Sequence, residues 1–187
     1  MYNAEIERQF TAGRFEIVDG VLTEMAPPIF DGSFALSHLS RTIEAYLAKT
    51  DPRAALVPEV DLILGKRRFG IVDALYLNPE DMRRQRIAHA ASGRQKHLQM
   101  GRILVPPTLV IESISQGHES HDRETKRGWY EEFRIPNYWI LDGLKRSLEC
   151  LRLEAGRYQV DCFARGSASL RPKAFPGLVI PLKKIWL

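Results

Sequence analysis

The sequence predicts an α/β (α+β) fold with a mixed central β-sheet, helices flanking it, and β-hairpins at both ends. Three observations carry this. Asp19-Gly20 and Ala155-Gly156 each stand between two alternating segments, the arrangement of a tight two-residue hairpin. TLVIESIS (108–115) and NYWILD (137–142) are short apolar runs of the kind buried on both faces of a sheet. Helical spacings fall between these strands rather than after them, so the two element types share one sheet.

Taken in order, a short N-terminal helix is expected before RFEIVDGVLTEM, which folds about Asp19-Gly20 as the first hairpin. Pro27-Pro28 stops its second strand. In SFALSHLSRTIEAYLAK, Leu36, Leu39, Ile43 and Leu47 recur at helical spacing with Tyr46 beside them, and Asp51-Pro52 ends that helix. ALVPEVDLIL and GIVDALYL are strands joined around Gly65–Arg68. A basic insertion over 78–106 follows, polar from Asn78 to about Arg102, with a short helix opening at Pro79. HESHDRETKRGWYEEF reads as a helix between the two buried strands. The final hairpin, SLECLRLEAG/RYQVDCFA, leads into an irregular tail, FPGLVIPLKKIWL.

The chain has 187 residues, 44% hydrophobic and 27% charged, which fits one globular domain spanning 1–187 and excludes a disordered or collagen-like chain. No apolar run approaches the ~20 residues of a membrane helix. MYNAEIERQF carries acids where a secretory signal needs a basic start, so a cytoplasmic protein without membrane contact is expected. With a hairpin about Ala155-Gly156, Cys150 falls opposite Asp161, so Cys150 and Cys162 are expected as reduced thiols that do not face each other. The net charge of +4 permits a polyanionic partner without requiring one.

The unusual residues are carboxylates inside apolar strands, Asp73 in IVDALYL and Glu112 in TLVIESIS. An ionised carboxylate there is costly unless it is paired, hydrogen-bonded or on a metal. Each alone fits a structural role; two on separate buried strands point to a shared site. On the next helix Asp122, Lys126 and Tyr130 recur every four residues as one stripe, beside Trp129 and Phe133, which have to bury. This sets Lys126 at the edge of the core.

In order along the chain, EIVDGVLTEM, VDALYL, LVIESIS, D-x-x-x-K-x-x-x-Y at Asp122, Lys126 and Tyr130, IPNYWILD and FPGLVIPL make the sequence resemble the Uma-type family of restriction endonucleases, in the restriction-endonuclease-like superfamily with the PD-(D/E)XK signature. The resemblance runs from about Phe15 to the C-terminus. It implies that fold, and an Mg²⁺- or Mn²⁺-dependent endonuclease cutting DNA phosphodiester bonds. Asp73, Glu112 and Lys126 are then the catalytic residues. Asp73 and Glu112, with the carbonyl of Ser113, are the implied metal ligands. Glu16 matches an N-terminal family Glu and could hold a second metal or a metal-bound water; an exposed strand Glu is the alternative. Asp122 positions Lys126, and Tyr130 completes the supporting set. Two departures stand out: Val72 replaces the Pro before Asp73, and Ile114 occupies the usual Lys position, for which Lys126 is the migrated substitute.

Nuclease chemistry suits these residue types. A hard cation held by carboxylate and carbonyl oxygens draws charge from a phosphate oxygen and acidifies water. A homodimer is expected, since two cuts or a palindromic site need two active sites. The alternative is a catalytically degenerate member of the fold that binds nucleic acid or a protein partner, and a metal-dependent hydrolase of another substrate is a third reading. The insertion carries Arg83, Arg84, Arg86, Arg94, Lys96 and Arg102 against Glu80 and Asp81, and is expected near the metal, either as an arm along a nucleic-acid backbone or as a solvated or dimer-contact loop. His118 and His121 are three apart rather than four, so the zincin pattern is not met. His38 reads as a core or boundary residue. Neither a Gly-x-Ser-x-Gly elbow nor a P-loop occurs.

Overall fold

The structure is a computed structural model that describes residues 15–25, 28–65, 67–91, 101–114, 117 and 119–187. The expected N-terminal helix lies outside these residues, as do Arg94, Lys96, His97 and His118.

The first hairpin forms as expected, β1 (Phe15–Val18) pairing β2 (Val21–Glu24) with Val18 opposite Val21. Asp19 and Gly20 both take positive φ, 49° and 92°, the conformation a type I′ turn requires. Helix α1 (Phe30–Thr50) begins a turn earlier than its apolar spacing suggests and buries Leu39, Ile43 and Leu47. Strands β3 (Ala55–Ile63) and β4 (Phe69–Leu77) pair antiparallel from end to end except at Glu59 and Asp73. The helix opening at Pro79 is longer than expected, α2 (Pro79–Ala91). Strand β5 (Leu109–Ser113) pairs antiparallel with β4 and parallel with β6 (Asn137–Asp142). Between β5 and β6 a π-helical segment, His121–Lys126, continues as α3 (Arg127–Glu132). Strands β7 (Ser147–Glu154) and β8 (Arg157–Arg165) close the sheet. The tail is less irregular than its sequence suggests. Its β10 (Ile180–Pro181) pairs with β9 (Ser169–Leu170), and Phe175, Leu178, Ile180, Leu182 and Ile185 all bury.

The sheet is therefore mixed and eight-stranded, in the order β2-β1-β4-β5-β6-β7-β8 with β3 on β4. One core joins α1 and the C-terminal tail to Trp139, Leu141, Leu148 and Cys150. A second joins Trp129 and Tyr130 to Val110, Tyr138, Ile140 and Leu151. Adjacent residues of β6 thus point to different cores, so helices cover both faces.

Two details position the site. Strand β3 occupies one edge of β4, while β1 meets the other edge at Phe69 and β5 meets it at Ala74–Tyr76. The sheet forks there: among the described residues, that edge of β4 pairs with neither strand from Gly70 to Asp73. Opposite Asp73, Glu59 has φ 40°, rare for a residue with a side chain. Past this point the alternation of β4 changes face, since Val72, Leu75 and Leu77 share one core while Ala74 and Tyr76 share the other.

The cysteine register differs from expectation. A bulge between Cys150 and Leu151 makes Asp161 the extra residue, so Cys150 stands opposite Cys162, both as free thiols. The reason lies in the tail, where the Lys173 amide donates to Asp161 Oδ2 at 2.8 Å and anchors the bulged residue. No helix among the described residues is long and apolar enough to cross a membrane.

Candidate active site

The fork in the sheet opens into a cavity of about 450 Å³. Glu16, Asp73, Glu112, Ser113, Asp122 and Lys126 line it, so six of the seven residues singled out from the sequence meet there. Tyr130 reaches the same group from behind. The antiparallel register of β4 and β5, extended one residue beyond Ala74–Ile111, sets Asp73 opposite Glu112. Asp73 Oδ2 accepts the Ser113 amide at 2.7 Å, which ties the end of β5 to this carboxylate. Glu112 is 2% exposed. Its Oε1 accepts the Tyr130 hydroxyl at 2.5 Å and lies 3.2 Å from the Lys126 ammonium. Lys126 is also 3.1 Å from Asp122 Oδ1.

The stripe of Asp122, Lys126 and Tyr130 was read from α-helical spacing, and the structure corrects the geometry: His121–Lys126 is π-helical. Such segments recur at functional sites. Here the wider turn brings His121, Asp122 and Lys126 to the cavity together. The Tyr138 hydroxyl donates to the Asp122 carbonyl at 3.0 Å and pins this segment to β6.

Glu16 is buried rather than exposed on its strand. His121 Nε2 lies 2.6 Å from Glu16 Oε1, and the His121 ring meets Trp129 edge-on. Glu16 Oε2 is buried without a hydrogen-bond partner among the described residues.

Four carboxylates thus surround one ammonium and one imidazole. Burial, the largest effect, pushes Glu112 up to about 8; Asp73 and Asp122 add to the rise, while Lys126 and the Tyr130 hydrogen bond oppose it. For Lys126 burial works against the charge, but Glu112, Asp122, Glu16 and Asp73 together outweigh it and hold the ammonium protonated. Burial and the Glu112 charge raise Tyr130 well above its ordinary value, which keeps its hydroxyl a donor.

The donor chemistry fits a hard divalent cation. The oxygens are carboxylates and a backbone carbonyl, and carboxylate charge exceeds the local positive charge, which a phosphodiester could not approach without a counterion. Asp73, Glu112 and the Ser113 carbonyl could hold one. Among the described residues no group of three or more His, Cys, Asp or Glu side chains is arranged to hold a metal ion.

Ile114, 4% exposed, lines the wall where the superfamily signature expects Lys, and Lys126 comes in from the helix beside it. The chain matches the family model Uma2, described as "putative restriction endonuclease", over residues 3–183. The chain belongs to that family. No curated protein matches it. A crystal structure described as a putative nuclease belonging to DUF820, from Anabaena variabilis, shares the fold with a TM-score of 0.69, 14% identity and 96% of each chain covered. Membership in the Uma2 family agrees with the restriction-endonuclease-like resemblance of the sequence.

One expectation changes. The insertion was expected near the metal, but α2 leaves β4 after Leu77, at the end of the strand pair away from Glu112, and none of its described residues lines the cavity. Three of its charges are already engaged: Arg83 pairs Glu80, Arg84 pairs Asp81, and buried Arg102 pairs Asp61 of β3 at 2.9 Å. The opposite wall instead comes from α1, through Ser33, Ser37, Ser40, Arg41 and Glu44. Sequence reasoning missed this wall and set His121 aside as part of a failed zinc pattern. The available signal was the serine repeat at helical spacing beside the apolar one.

Proposed function

We propose that this Uma2-family protein is a divalent-metal-dependent endonuclease that hydrolyses DNA phosphodiester bonds. One observation carries the reading: Asp73 and Glu112 stand opposite each other at the fork of the sheet, with the Lys126 ammonium 3.2 Å from Glu112 in a cavity of excess negative charge. Asp73, Glu112 and the Ser113 carbonyl would hold Mg²⁺ or Mn²⁺. Bound there, the cation would draw charge from a phosphoryl oxygen and make water a competent nucleophile near neutral pH. Lys126 orients the attacking water or stabilises the negative charge that grows on the phosphoryl group. Asp122 holds Lys126, Tyr130 fixes Glu112, and Glu16, beside His121, lines the same cavity. A homodimer would present two such sites, one for each strand, and sedimentation velocity checks it.

The deciding assay is cleavage of plasmid and single-stranded DNA with Mg²⁺ or Mn²⁺ by the wild type, Asp73→Ala and Glu112→Gln. Loss of cleavage in both variants, with their folds intact, supports the assignment. Cleavage unchanged in both variants sinks it.

Buried Ile114, in the place where a superfamily Lys is expected, favours a second reading, a non-cleaving member that binds nucleic acid or a partner protein. Calorimetric titration with Mn²⁺ separates the two, since that reading predicts no heat that depends on Glu112.

A further inference from the structure

Along α1, Phe30, Phe34, His38 and Arg41 follow at i, i+4, i+8 and i+11 and so form one stripe. Phe30 is 72% exposed among the described residues. The Phe30 and Phe34 ring centroids are 6.2 Å apart, and His38 stacks on Phe34 at 4.3 Å with 27° between the planes. The stripe is thus a continuous strip of flat rings away from the core face of the helix, Phe30 exposed and Phe34 and His38 half-buried. Its last residue, exposed Arg41, also lines the cavity that holds Asp73 and Glu112. Ser33, Ser37 and Ser40 form the neighbouring stripe, on the inner side of the same wall.

A surface helix ordinarily keeps such rings in the core, and α1 does bury Leu39, Ile43 and Leu47 on its core side. The strip, exposed at Phe30 and half-buried at Phe34 and His38, is additional to that face. Flat apolar rings leading to a cation at the mouth of a cavity match a strand of unpaired nucleotides: the bases stack on the rings and the phosphates pass Arg41 into the cavity. A duplex hides its base faces and offers nothing for the rings to stack on. Continuity with the cavity is what favours nucleic acid over a second copy of this chain.

We infer that Phe30, Phe34 and His38 form a base-stacking platform that feeds single-stranded nucleic acid past Arg41 into the cavity. The inference rests on the nuclease reading for the reason a strand should enter there.

The test is fluorescence anisotropy with Ca²⁺ in place of Mg²⁺. The probes are labelled dT12, an abasic strand of the same phosphate number, and a blunt 12-base-pair duplex. Stacking predicts that the wild type prefers dT12 to both other probes. Phe30→Ala and Phe34→Leu should each weaken dT12 binding by at least about fivefold, the low end of what one base–aromatic stack contributes. They should leave abasic binding unchanged, and Phe30→Trp should restore dT12 affinity. Phe30 is exposed enough to be replaced without unfolding the helix, and melting curves verify both variants.

Equal dT12 affinity in wild type and variants overturns the inference, as does equal loss on the abasic strand, or no binding of any probe by the wild type. A dimer that Phe30→Ala dissociates without changing dT12 affinity also overturns it and assigns the strip to self-association. The nuclease reading stands or falls separately on Mg²⁺-supported cleavage by wild type and Glu112→Gln.

Discussion

Tyr130 and Lys126 converge on one atom: the Tyr130 hydroxyl donates to Glu112 Oε1 at 2.5 Å, and the Lys126 ammonium lies 3.2 Å from the same oxygen. Both come from the helix that follows β5, and both are buried. The site is therefore a packed ionic cluster as much as a catalytic one, and its substitutions have consequences for stability as well as for activity.

Lys126→Met removes the ammonium and leaves Glu112 and Asp122 buried beside each other. Breaking a buried pair in this way costs about 3–5 kcal/mol, and the loss of transition-state charge stabilisation lowers kcat roughly 10²–10³-fold. The charge-removing double variant Lys126→Met/Asp122→Asn should recover part of the stability and none of the cleavage. Urea unfolding alongside plasmid cleavage reads both quantities.

The raised Glu112 value sets a pH dependence. Folded Glu112 holds its proton up to about 8, whereas the unfolded chain releases it in the ordinary carboxylate range. Its contribution to stability is thus fully present below that range and is lost as pH rises toward 8. The metal-free protein should lose stability over this window, and Glu112→Gln should flatten the loss. Because a divalent cation needs the ionised carboxylate, Mg²⁺ or Mn²⁺ should raise Tm more at pH 8 than at pH 5. Equal increments at the two pH values, by scanning calorimetry, would contradict paired ligands.

Gly32 and Gly143 let the first turn of α1 rest against the ends of the site strands. A Cβ on Gly32 would stand 2.5 Å from Ser113 Oγ, and one on Gly143 would stand 2.8 Å from the Gly32 nitrogen. Gly143→Ala meets backbone and should destabilise by about 1–3 kcal/mol. Gly32→Ala meets only a hydroxyl. Combined with Ser113→Ala it should lose the clash and gain up to about 1 kcal/mol from helix propensity, a non-additivity that a double-mutant cycle in urea measures.

The bulge at Asp161 makes two facing thiols unequal. The Cys150 side-chain hydrogen bond holds half-buried Cys162 below the ordinary thiol value, while burial pushes Cys150 well above it. Native alkylation with iodoacetamide should modify Cys162 first and reach Cys150 only on unfolding, as peptide mass mapping will report. Equal labelling rates would show that the pair is not arranged this way.

The site carboxylates were legible because each breaks a local rule. Asp73 and Glu112 put charge into runs that otherwise bury, and Lys126 sits where Trp129 and Tyr130 draw its helix onto the sheet. The insertion misled because composition reports charge without direction: Arg83 and Arg84 are spent on Glu80 and Asp81 of the helix beyond the far end of β4, and Arg102 is spent on Asp61 of β3. The cysteine register misled because hairpin counting assumes an unbroken ladder, and the Asp161–Lys173 contact that bulges β8 joins residues from different elements.

The sequence by itself determined most of the elements, both hairpin turns and the charged site residues Asp73, Glu112, Asp122 and Lys126, since periodicity, turn chemistry and the cost of a buried charge are all local in the chain. Only the tertiary structure decided that β4 forks between β1 and β5, that the helix after β5 opens with a π turn, and that Glu16 meets His121 across the gap. Those depend on which edges pair and which faces pack, and such choices are fixed by contacts between residues tens of positions apart.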